Sequence, residues 1–389
     1  MRACRVLCVC WDDNPSQPSF QSSRQYYRSK ALEIPGVELV YRGPFRPSIS
    51  AVFRNLPYKL AAACRGRTYL FRYEPSVLKG LAQQIHQYIR ECKADAVFTI
   101  NPVIFAYLDC SIAQISWHDS VIPELRGLYS FYAKLLPRSF RLGIDAERRA
   151  LSRDQAFAFY ESRWAEHSAR LHYGLPEHRT AVLTPFPNVE EIPRETVLAE
   201  AERRSADCCK LLFVGYEWER KGGPIAVAAT NALNEAGVPA ELHVVGPRKL
   251  PLECAGNRNI RFHGVLRRSI PHEAKLLHQL FSASHFVLLP TSGDCTPNVL
   301  CEASLYGVPS IARNVGGVSS LVDDGKTGFL VPPDGGSDIY AQAIKRAWGD
   351  RQAYLSLARA ARAFYESNIS LTVSRRRVED VLRQYYHFL

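Results

Sequence analysis

The residues with the clearest capacity for chemistry lie at positions 291–303, in the sequence TSGDCTPNVLCEA. Two carboxylates, Asp294 and Glu302, stand eight residues apart there, on either side of a predicted helix start. Pro297 suits a first helical turn because it has no N–H to leave unpaired, and Thr296 before it can cap the helix. We therefore expect a loop that carries Asp294 to lead into a helix that carries Glu302.

The predicted helix start has the properties of an anion site. The N–H groups of Asn298, Val299 and Leu300 lack acceptors within the helix and lie at its positive end. Glu302 follows four residues after Asn298, which is about 6 Å along the axis at about 1.5 Å per residue. A phosphate at the helix start would leave Glu302 roughly one sugar ring away. This spacing suits a nucleotide sugar.

A second group of candidate residues follows a predicted strand, in the sequence FVGYEWERKGG. Arg220 and Lys221 stand there beside a glycine pair, where the backbone can approach a ligand closely. Pro224 then begins a helix whose first N–H groups add to the positive field. An arginine fork and a lysine point charge together suit a diphosphate, and strand ends of open parallel sheets are where such ligands bind. We interpret this segment as a phosphate-binding loop.

Two further motifs have both a functional and a structural interpretation. His118 and Asp119 stand at the predicted end of a strand, where the imidazole could contact a sugar hydroxyl or simply satisfy a local hydrogen bond. The pair Gly316 and Gly317 could let a loop approach a sugar, or form an ordinary turn. Residues 323–328 predict a hairpin-like turn without chemistry.

The composition is that of a globular protein with two domains. The chain has 389 residues, 47% of them hydrophobic and 22% charged. The sequence contains no run of the roughly 18 apolar residues that a membrane span requires, and the apolar start fits a first strand better than a secretory signal. Eleven irregularly spaced cysteines, an odd number without zinc-knuckle spacing, favour reduced thiols in a cytoplasmic protein.

The net charge of +11 is concentrated near the N-terminus, since residues 1–150 carry 21 Lys and Arg against 12 Asp and Glu. Two interpretations stay open: a solvated surface, or contact with an acidic acceptor or with the inner face of an anionic membrane. The basic and aromatic segment 124–143 predicts an ordinary packed helix, with an acceptor-facing or membrane-facing surface as the alternative. No nucleic-acid partner is predicted, because no motif of a recognised binding module is present.

Apolar, β-branched strand patterns alternate with helical patterns in both halves of the chain, as in parallel α/β folds. The predicted strands are 5–11, 96–100, 114–117, 181–184, 210–214, 240–245, 260–262, 286–289 and 310–312. The predicted helices are 75–93, 224–235, 272–282, 340–348, 353–366 and 373–386. A segment rich in Pro, Glu and Arg, at 188–209, predicts a linker between domains at 1–187 and 210–372, and residues 195–204 within it are compatible with a helix.

In this order the motifs resemble those of the retaining GT-B glycosyltransferases called group 1, or family 4. The sequence GDCTPNVLCEA resembles the Glu-x7-Glu signature of that family, and Val-Gly-x5-Lys-Gly, from Val214 to Gly222, resembles its phosphate loop. The Gly316-Gly317 turn, the sequence DGKTG at 324–328 and the sequence WHD at 117–119 also fall where the family has related motifs. The match covers most of the chain and is specific over 210–335.

The resemblance implies an α/β fold of the GT-B type, with two Rossmann-like parallel-sheet domains facing an interdomain cleft and a last helix, 373–389, that packs back on the first domain. It implies that Lys221, helped by Arg220, neutralises the donor diphosphate and that Glu302 binds ribose hydroxyls. Asp294 would contact the donor sugar beside His118. The remaining implied donor contacts are at Thr296, Pro297, Asn298, Val299, Leu300 and Gly316.

The implied activity is transfer of a hexose-type sugar from a UDP- or GDP-linked donor to a hydroxyl of a glycan, a lipid-linked acceptor or a small molecule, within polysaccharide or glycoconjugate biosynthesis. The leaving diphosphate would take the acceptor proton, so neither a metal ion nor a cofactor is expected, in agreement with the absence of an Asp-x-Asp motif. The alternatives are a nucleotide-sugar epimerase on the same architecture and a noncatalytic partner subunit.

The sequence departs from the family pattern at three places. Asp294 stands where the family usually has the longer Glu, and Tyr216 stands where it often has Arg. The glycine-rich turn after the first strand is missing, because residues 12–23 contain no glycine. These departures concern the reach to the donor sugar, the charge of the phosphate loop and the acceptor side.

Overall fold

A computed structural model describes residues 3–11, 16 and 24–386 of the chain. Segment 12–23, in which the glycine-rich turn of the family is missing, lies outside the described residues apart from position 16, as do residues 387–389. The chain divides into two compact units, the first formed by Met1–Thr184 with Leu371–Leu389 and the second by Pro185–Ser370. The C-terminal segment thus belongs to the first unit.

The described residues form twelve strands. They are β1 (Cys4–Val9), β2 (Val37–Arg42), β3 (Ala96–Thr99), β4 (Ala113–His118), β5 (Ala156–Tyr160), β6 (Thr180–Val182), β7 (Cys209–Val214), β8 (Ala240–Val245), β9 (Ile260–Gly264), β10 (Phe286–Leu289), β11 (Ser310–Arg313) and β12 (Gly328–Val331).

The α-helices alternate with these strands. They are α1 (Arg24–Ser29), α2 (Ile49–Ala63), α3 (Pro75–Cys92), α4 (Ile122–Leu128), α5 (Ser130–Ala133), α6 (Pro137–Leu151), α7 (Arg163–Tyr173), α8 (Arg194–Arg203), α9 (Gly223–Glu235), α10 (Pro271–Ala283), α11 (Asn298–Leu305), α12 (Ser337–Trp348), α13 (Arg351–Phe364) and α14 (Leu371–Tyr386). A π-helical turn, Tyr365–Ile369, follows α13.

Each unit contains a six-stranded sheet in which all neighbouring strands are parallel. The strand order is β2-β1-β3-β4-β5-β6 in the first unit and β12-β11-β10-β7-β8-β9 in the second. The prediction of two Rossmann-like parallel α/β domains is confirmed. In the second sheet the direction of the connections reverses between β7 and β10, and ligands bind at such switch points in open sheets.

The central strands β7, β10 and β11 of the second unit are largely buried on both faces, which explains their mostly apolar sequences. Phe213 and Leu288 point to one face and pack with α9 and α12, whereas Leu212 and Leu289 point to the other face and pack with α10 and α11. Successive residues of a strand alternate between faces, so the two cores hold β7 and β10 in a fixed register.

The last helix is tied to the start of the chain. In α14, Arg375 donates to the backbone oxygen of Lys30 at 3.2 Å and to Glu33 at 3.2 Å, and Arg377 donates to the backbone oxygen of Val182 at 3.3 Å. These contacts join the C-terminal helix to the segment that precedes β2 and to the end of β6.

Several elements differ from the sequence-based predictions. Segment 188–209, predicted as a linker with a possible helix at 195–204, does contain a helix there, α8, but its Val197 and Ala201 are buried in the second unit. Segment 124–143, predicted as one helix, is divided among α4, α5 and α6, because Tyr129 is extended and Pro137 opens a new helix. Strands β2, β5 and β12 were not predicted, and the turn at 323–328 leads directly into β12.

None of the eleven cysteines, all of which lie within the described ranges, forms a disulfide. Over the part of the chain that the structure describes, no helix is both long and apolar enough to cross a bilayer.

Substitution of Gly222 tests the close backbone contact between the segment after β7, which contains Gly222, and Pro290, which follows β10. The Gly222 φ of +79° is accompanied by a Cβ position only 2.1 Å from the backbone oxygen of Pro290, whereas Gly237 has a φ of +76° and open space around the same position. We expect Gly237→Ala to lower the free energy of unfolding by roughly 1–2 kcal/mol, the cost of a left-handed residue. Gly222→Ala should lower the free energy of unfolding by more than Gly237→Ala does, because the backbone at Pro290 must also move. Equal losses in urea unfolding would contradict the contact.

Candidate functional site

Lys221 and Asp294 form an ion pair at the switch point of the second sheet. Lys221 Nζ lies 2.7 Å from Asp294 Oδ2, and only 15% and 7% of the two side chains are exposed. Lys221 follows β7 and Asp294 follows β10, so the structure brings together two of the predicted site residues that are 73 positions apart. A pair this shielded from water interacts more strongly than an exposed one, provided that its geometry stays fixed.

Arg220 holds the two loops together instead of extending into solvent. Its Nη1 donates to the backbone oxygen of Gly293 at 2.5 Å and lies 3.5 Å from Asp294 Oδ1, while Nε donates to Glu217 at 2.5 Å. The backbone oxygen of Arg220 accepts from the Ser292 N–H at 2.8 Å. The predicted role of Arg220 at the phosphates stays a prediction, and its contacts in the structure fix the loop that carries Asp294.

Glycines allow this close approach of loops. A Cβ on Gly316, at a φ of +53°, would lie 2.0 Å from the backbone oxygen of Asp294, and a Cβ on Gly222 would meet Pro290 as described above. Both positions therefore require glycine, for its backbone conformation and for its lack of a side chain. The Gly316 turn packs on the loop of Asp294, and this contact defines its position in the site.

The helix start at α11 is one residue later than predicted. Pro297 is the N-cap residue, with a φ of −72° and an extended ψ of 115°, and its side chain makes no capping hydrogen bond. The N–H of Leu300 donates to the backbone oxygen of Pro297 at 3.0 Å, which leaves Asn298 and Val299 as the first-turn donors for an anion. Thr296 precedes the cap. The proline ring fixes φ, and its extended ψ delays the helix.

The side chain of Asn298 has a second relevant feature. Its Oδ1 atom is buried and accepts no hydrogen bond from the residues that the structure describes. A buried amide oxygen in this state can accept a hydrogen bond from a group that binds at the helix start.

Glu302 is paired with a residue that the sequence analysis missed. Arg268 Nη2 lies 2.8 Å from Glu302 Oε2, and the Glu302 side chain is 11% exposed. Arg268 follows the carboxyl end of β9. The loops that follow β7 and β10 lie at the same end of the parallel strands. The adjacent arginines 267 and 268 after a predicted strand were a visible signal, but the partner of Arg268 depends on the tertiary fold. In the structure Arg267 instead pairs with Glu273.

His118 is buried in the first unit at the end of β4. Its Nε2 is 2.7 Å from Ser116 Oγ, and its ring stacks on Tyr160 with 5.0 Å between centroids. Burial lowers the pKa of His118 to about 3, the charge of Glu161 opposing this shift. The imidazole is therefore neutral at pH 7, and neighbouring Asp119 lies 3.0 Å from Arg24.

A cavity of about 240 Å³ lies beside His118 within the first unit. Its lining includes the polar side chains of Asn101, Asp119, Tyr132 and Glu147. Glu147 accepts hydrogen bonds from Tyr173 at 2.5 Å and from the Ile122 N–H at 2.8 Å, yet burial raises its pKa to about 7. This carboxyl group, which the sequence analysis also missed, therefore changes charge near neutral pH.

Among the described residues, no group of three or more His, Cys, Asp and Glu side chains is placed to hold a metal ion.

Glu147 makes stability depend on pH in a defined direction. Its carboxyl group ionises near 4.5 in the unfolded chain and at about 7 in the folded one, so the folded state holds the extra proton across that interval. Its contribution to the free energy of unfolding is present below pH 4.5 and is lost as pH rises through about 7. The stability of Glu147→Gln relative to the parent should therefore increase between about pH 5 and about pH 8.

Urea unfolding of both proteins across this range measures the difference. Glu177→Gln, at a side chain that is 82% exposed, is the matched control and should show no such trend. A Glu147→Gln difference that does not vary with pH would contradict the assignment.

Comparison with known sequences finds a family match over most of the second unit. Residues 208–350 match the sequence model described as glycosyl transferases group 1. The D-inositol 3-phosphate glycosyltransferase of Geodermatophilus obscurus is 30% identical over 204 residues, which cover 48% of this chain and 44% of that protein. The alpha-D-kanosaminyltransferase of Streptomyces kanamyceticus is 25% identical over 246 residues, covering 61% and 63%. The chain thus spans less than two thirds of these relatives.

Solved structures share the fold across nearly the whole chain. Sucrose-phosphate synthase from Thermosynechococcus elongatus superposes with a TM-score of 0.68 at 17% identity, covering 99% of this chain and 100% of that one. HepE of Anabaena, solved in complex with UDP, gives a TM-score of 0.64 at 18% identity, covering 97% and 99%. At these identities the likeness shows the fold alone.

Proposed function

We propose that this chain, which belongs to the group 1 glycosyltransferases through residues 208–350 and has the GT-B fold, moves a hexose-type sugar from a nucleoside diphosphate donor to an acceptor hydroxyl with retention. The observation that supports this most directly is the Lys221–Asp294 pair, a cation held beside the start of α11 at the switch point of the sheet. A donor sugar and a diphosphate need such a cation and such free N–H groups.

The donor diphosphate would bind to Lys221 and to the N–H groups of Asn298 and Val299. Because Asp294 already holds the lysine in place, little side-chain freedom remains to be lost on binding. Glu302, held by Arg268, would accept hydrogen bonds from ribose hydroxyls. The UDP complex of HepE is consistent with a UDP-linked donor, and a GDP-linked donor has the same diphosphate.

The transfer step would use the donor itself. The acceptor oxygen forms a bond to the anomeric carbon as the bond to the diphosphate breaks, and a diphosphate oxygen takes the acceptor proton on the same face. Lys221 and the helix start stabilise the charge that develops on the leaving group. Asp294 would contact the donor-sugar hydroxyls. No carboxylate nucleophile is required, because the acceptor oxygen bonds directly to the anomeric carbon.

The acceptor would occupy the 240 Å³ cavity of the first unit. Its polar lining suits the hydroxyl groups of a glycan or of the head of a lipid-linked acceptor. His118, uncharged at pH 7 because of its lowered pKa, would exchange a hydrogen bond with a hydroxyl of a sugar bound in this cavity and would not act as a cation.

Substitutions in the donor site test the proposal. Lys221→Ala and Glu302→Ala should each weaken UDP binding or turnover by roughly 10-fold to 100-fold, since each removes a charge-assisted contact. Thermal stabilisation and slow donor hydrolysis, measured across a panel of UDP- and GDP-linked sugars, identify the donor and report the loss. Lys275→Ala and Glu235→Ala, at exposed positions of α10 and α9, are the matched controls.

Near-normal turnover in both site variants, on a confirmed donor, would overturn the site assignment. Conversion of the donor sugar to its epimer without an acceptor would identify an epimerase instead of a transferase. Failure of every donor to bind would favour a noncatalytic partner subunit, with Asp294 and Tyr216 as its distinguishing residues.

The proposed step also predicts that transfer activity survives EDTA. The leaving-group charge is stabilised by Lys221 and backbone N–H groups, so removal of divalent ions should leave the rate unchanged within about twofold. Loss of activity that magnesium or manganese restores would show that a metal takes part in the step.

A further inference from the structure

The apolar face of α2 is turned toward solvent. Its large apolar residues recur at helical spacing, i, i+3, i+4, i+7 and i+11, and fall within an arc of about 100°. They are Ile49, Val52, Phe53, Leu56 and Leu60, with exposed fractions of 77%, 48%, 67%, 43% and 59%. We call these five residues the α2 stripe. A stripe of this kind normally faces a protein core, so its exposure is unusual.

The opposite face of α2 attaches the helix to the first unit. Ala51, Asn55 and Ala62 are its buried residues. Tyr69 donates to Asn55 Oδ1 at 2.8 Å and lies 2.8 Å from Glu74, whose carboxylate is held by the guanidinium of Arg138. This buried network fixes the orientation of the helix, and the exposure of the stripe follows from it.

The segment around α2 is strongly cationic. Between Glu38 and Glu74 the sequence contains no Asp or Glu but seven cations: Arg42, Arg46, Arg54, Lys59, Arg65, Arg67 and Arg72. Arg54 and Lys59 lie on either side of the stripe on the helix surface. At the N-terminal end of α2, Arg46, Arg54 and Lys79 also line a cavity of about 610 Å³, and none of the described residues in its lining is a carboxylate.

Apolar side chains flanked by cations, without carboxylates, match the chemistry of an anionic bilayer surface. Apolar groups enter the boundary of the acyl chains, and Lys and Arg interact with headgroup phosphates. The segment 124–143, considered above for such contact, is less suited, because Phe131 is its only residue among the exposed large hydrophobic residues of the described chain.

We propose that α2 docks this protein onto an anionic lipid surface, with the α2 stripe in the membrane interface and the surrounding arginines and lysines on phospholipid headgroups. The contact places the first unit, which contains the proposed acceptor cavity, at the membrane. It requires neither donor nor acceptor, so its test is independent of the proposed transferase activity.

The test is sedimentation of the full chain with vesicles of phosphatidylcholine alone and of phosphatidylcholine with phosphatidylglycerol. We expect binding only to the anionic vesicles, weakened by salt. Phe53→Ser combined with Leu60→Ser, and separately Arg54→Gln combined with Lys59→Gln, should each lower the partition coefficient about tenfold or more.

The matched controls remove equivalent groups elsewhere. Leu171→Ser with Leu252→Ser changes two leucines that are 71% and 90% exposed, and Lys275→Gln with Arg258→Gln changes two exposed cations of the second unit. Both controls should bind as the parent does, and circular dichroism checks that all variants fold.

Absence of binding to the anionic vesicles, or binding that the stripe and charge variants leave unchanged, would overturn the proposal. Sedimentation velocity without vesicles tests the remaining alternative, that the α2 stripe joins two copies of this chain. A dimer of the parent that Phe53→Ser with Leu60→Ser abolishes would assign the α2 stripe to self-association and reject the membrane.

Discussion

Parallel pairing of β7 with β10 is the constraint on which the candidate site depends. The two strands are adjacent in space but separated by β8, β9 and α10 along the chain, and their connections leave in opposite directions. Their carboxyl ends therefore open a gap that no crossover helix fills. Lys221 and Asp294 meet at this gap, and the glycines at 222 and 316 let the surrounding backbone close to contact distance.

The two candidate regions differ in the charge of several central side chains, and the cavity of the first unit also contains the charged pair of Arg24 with Asp119. In the second unit the site side chains are charged and paired, as in Lys221 with Asp294 and Arg268 with Glu302. In the first unit burial favours the neutral forms of His118 and Glu147, lowering one pKa and raising the other. Charged pairs suit binding of an anionic donor, and neutral donors and acceptors of hydrogen bonds suit hydroxyl groups.

Much of the fold could be predicted from the sequence because local pattern and tertiary environment agree. Strands β8 and β10 have their predicted bounds: β10 is an uninterrupted apolar strand buried on both faces, and in β8 the apolar residues alternate with Glu241 and His243 on a partly exposed face. Strand β12 is different, because a four-residue segment that starts at Gly328 becomes a strand only through its pairing with β11.

The sequence could predict those parts of the site whose residues lie close together along the chain. The two central loops and Glu302 could be located from spacing, whereas Arg268 and Glu147 depend on contacts between distant segments. The α2 stripe shows the limit of periodicity, which identifies an apolar helix face but does not indicate what that face contacts. Its exposure depends on the buried network of Asn55, Tyr69 and Glu74, three residues that no repeating pattern connects.

The return of α14 to the first unit has a consequence for biosynthesis. Arg375 contacts Lys30 and Glu33 across more than 340 positions, so the first unit is discontinuous in the chain, while Pro185–Ser370 is contiguous. During translation the second unit can complete its core as soon as its own residues have left the ribosome. The six strands of the first sheet are made before residue 185, but their unit gains its contacts with α14 only after the whole second unit has been synthesised.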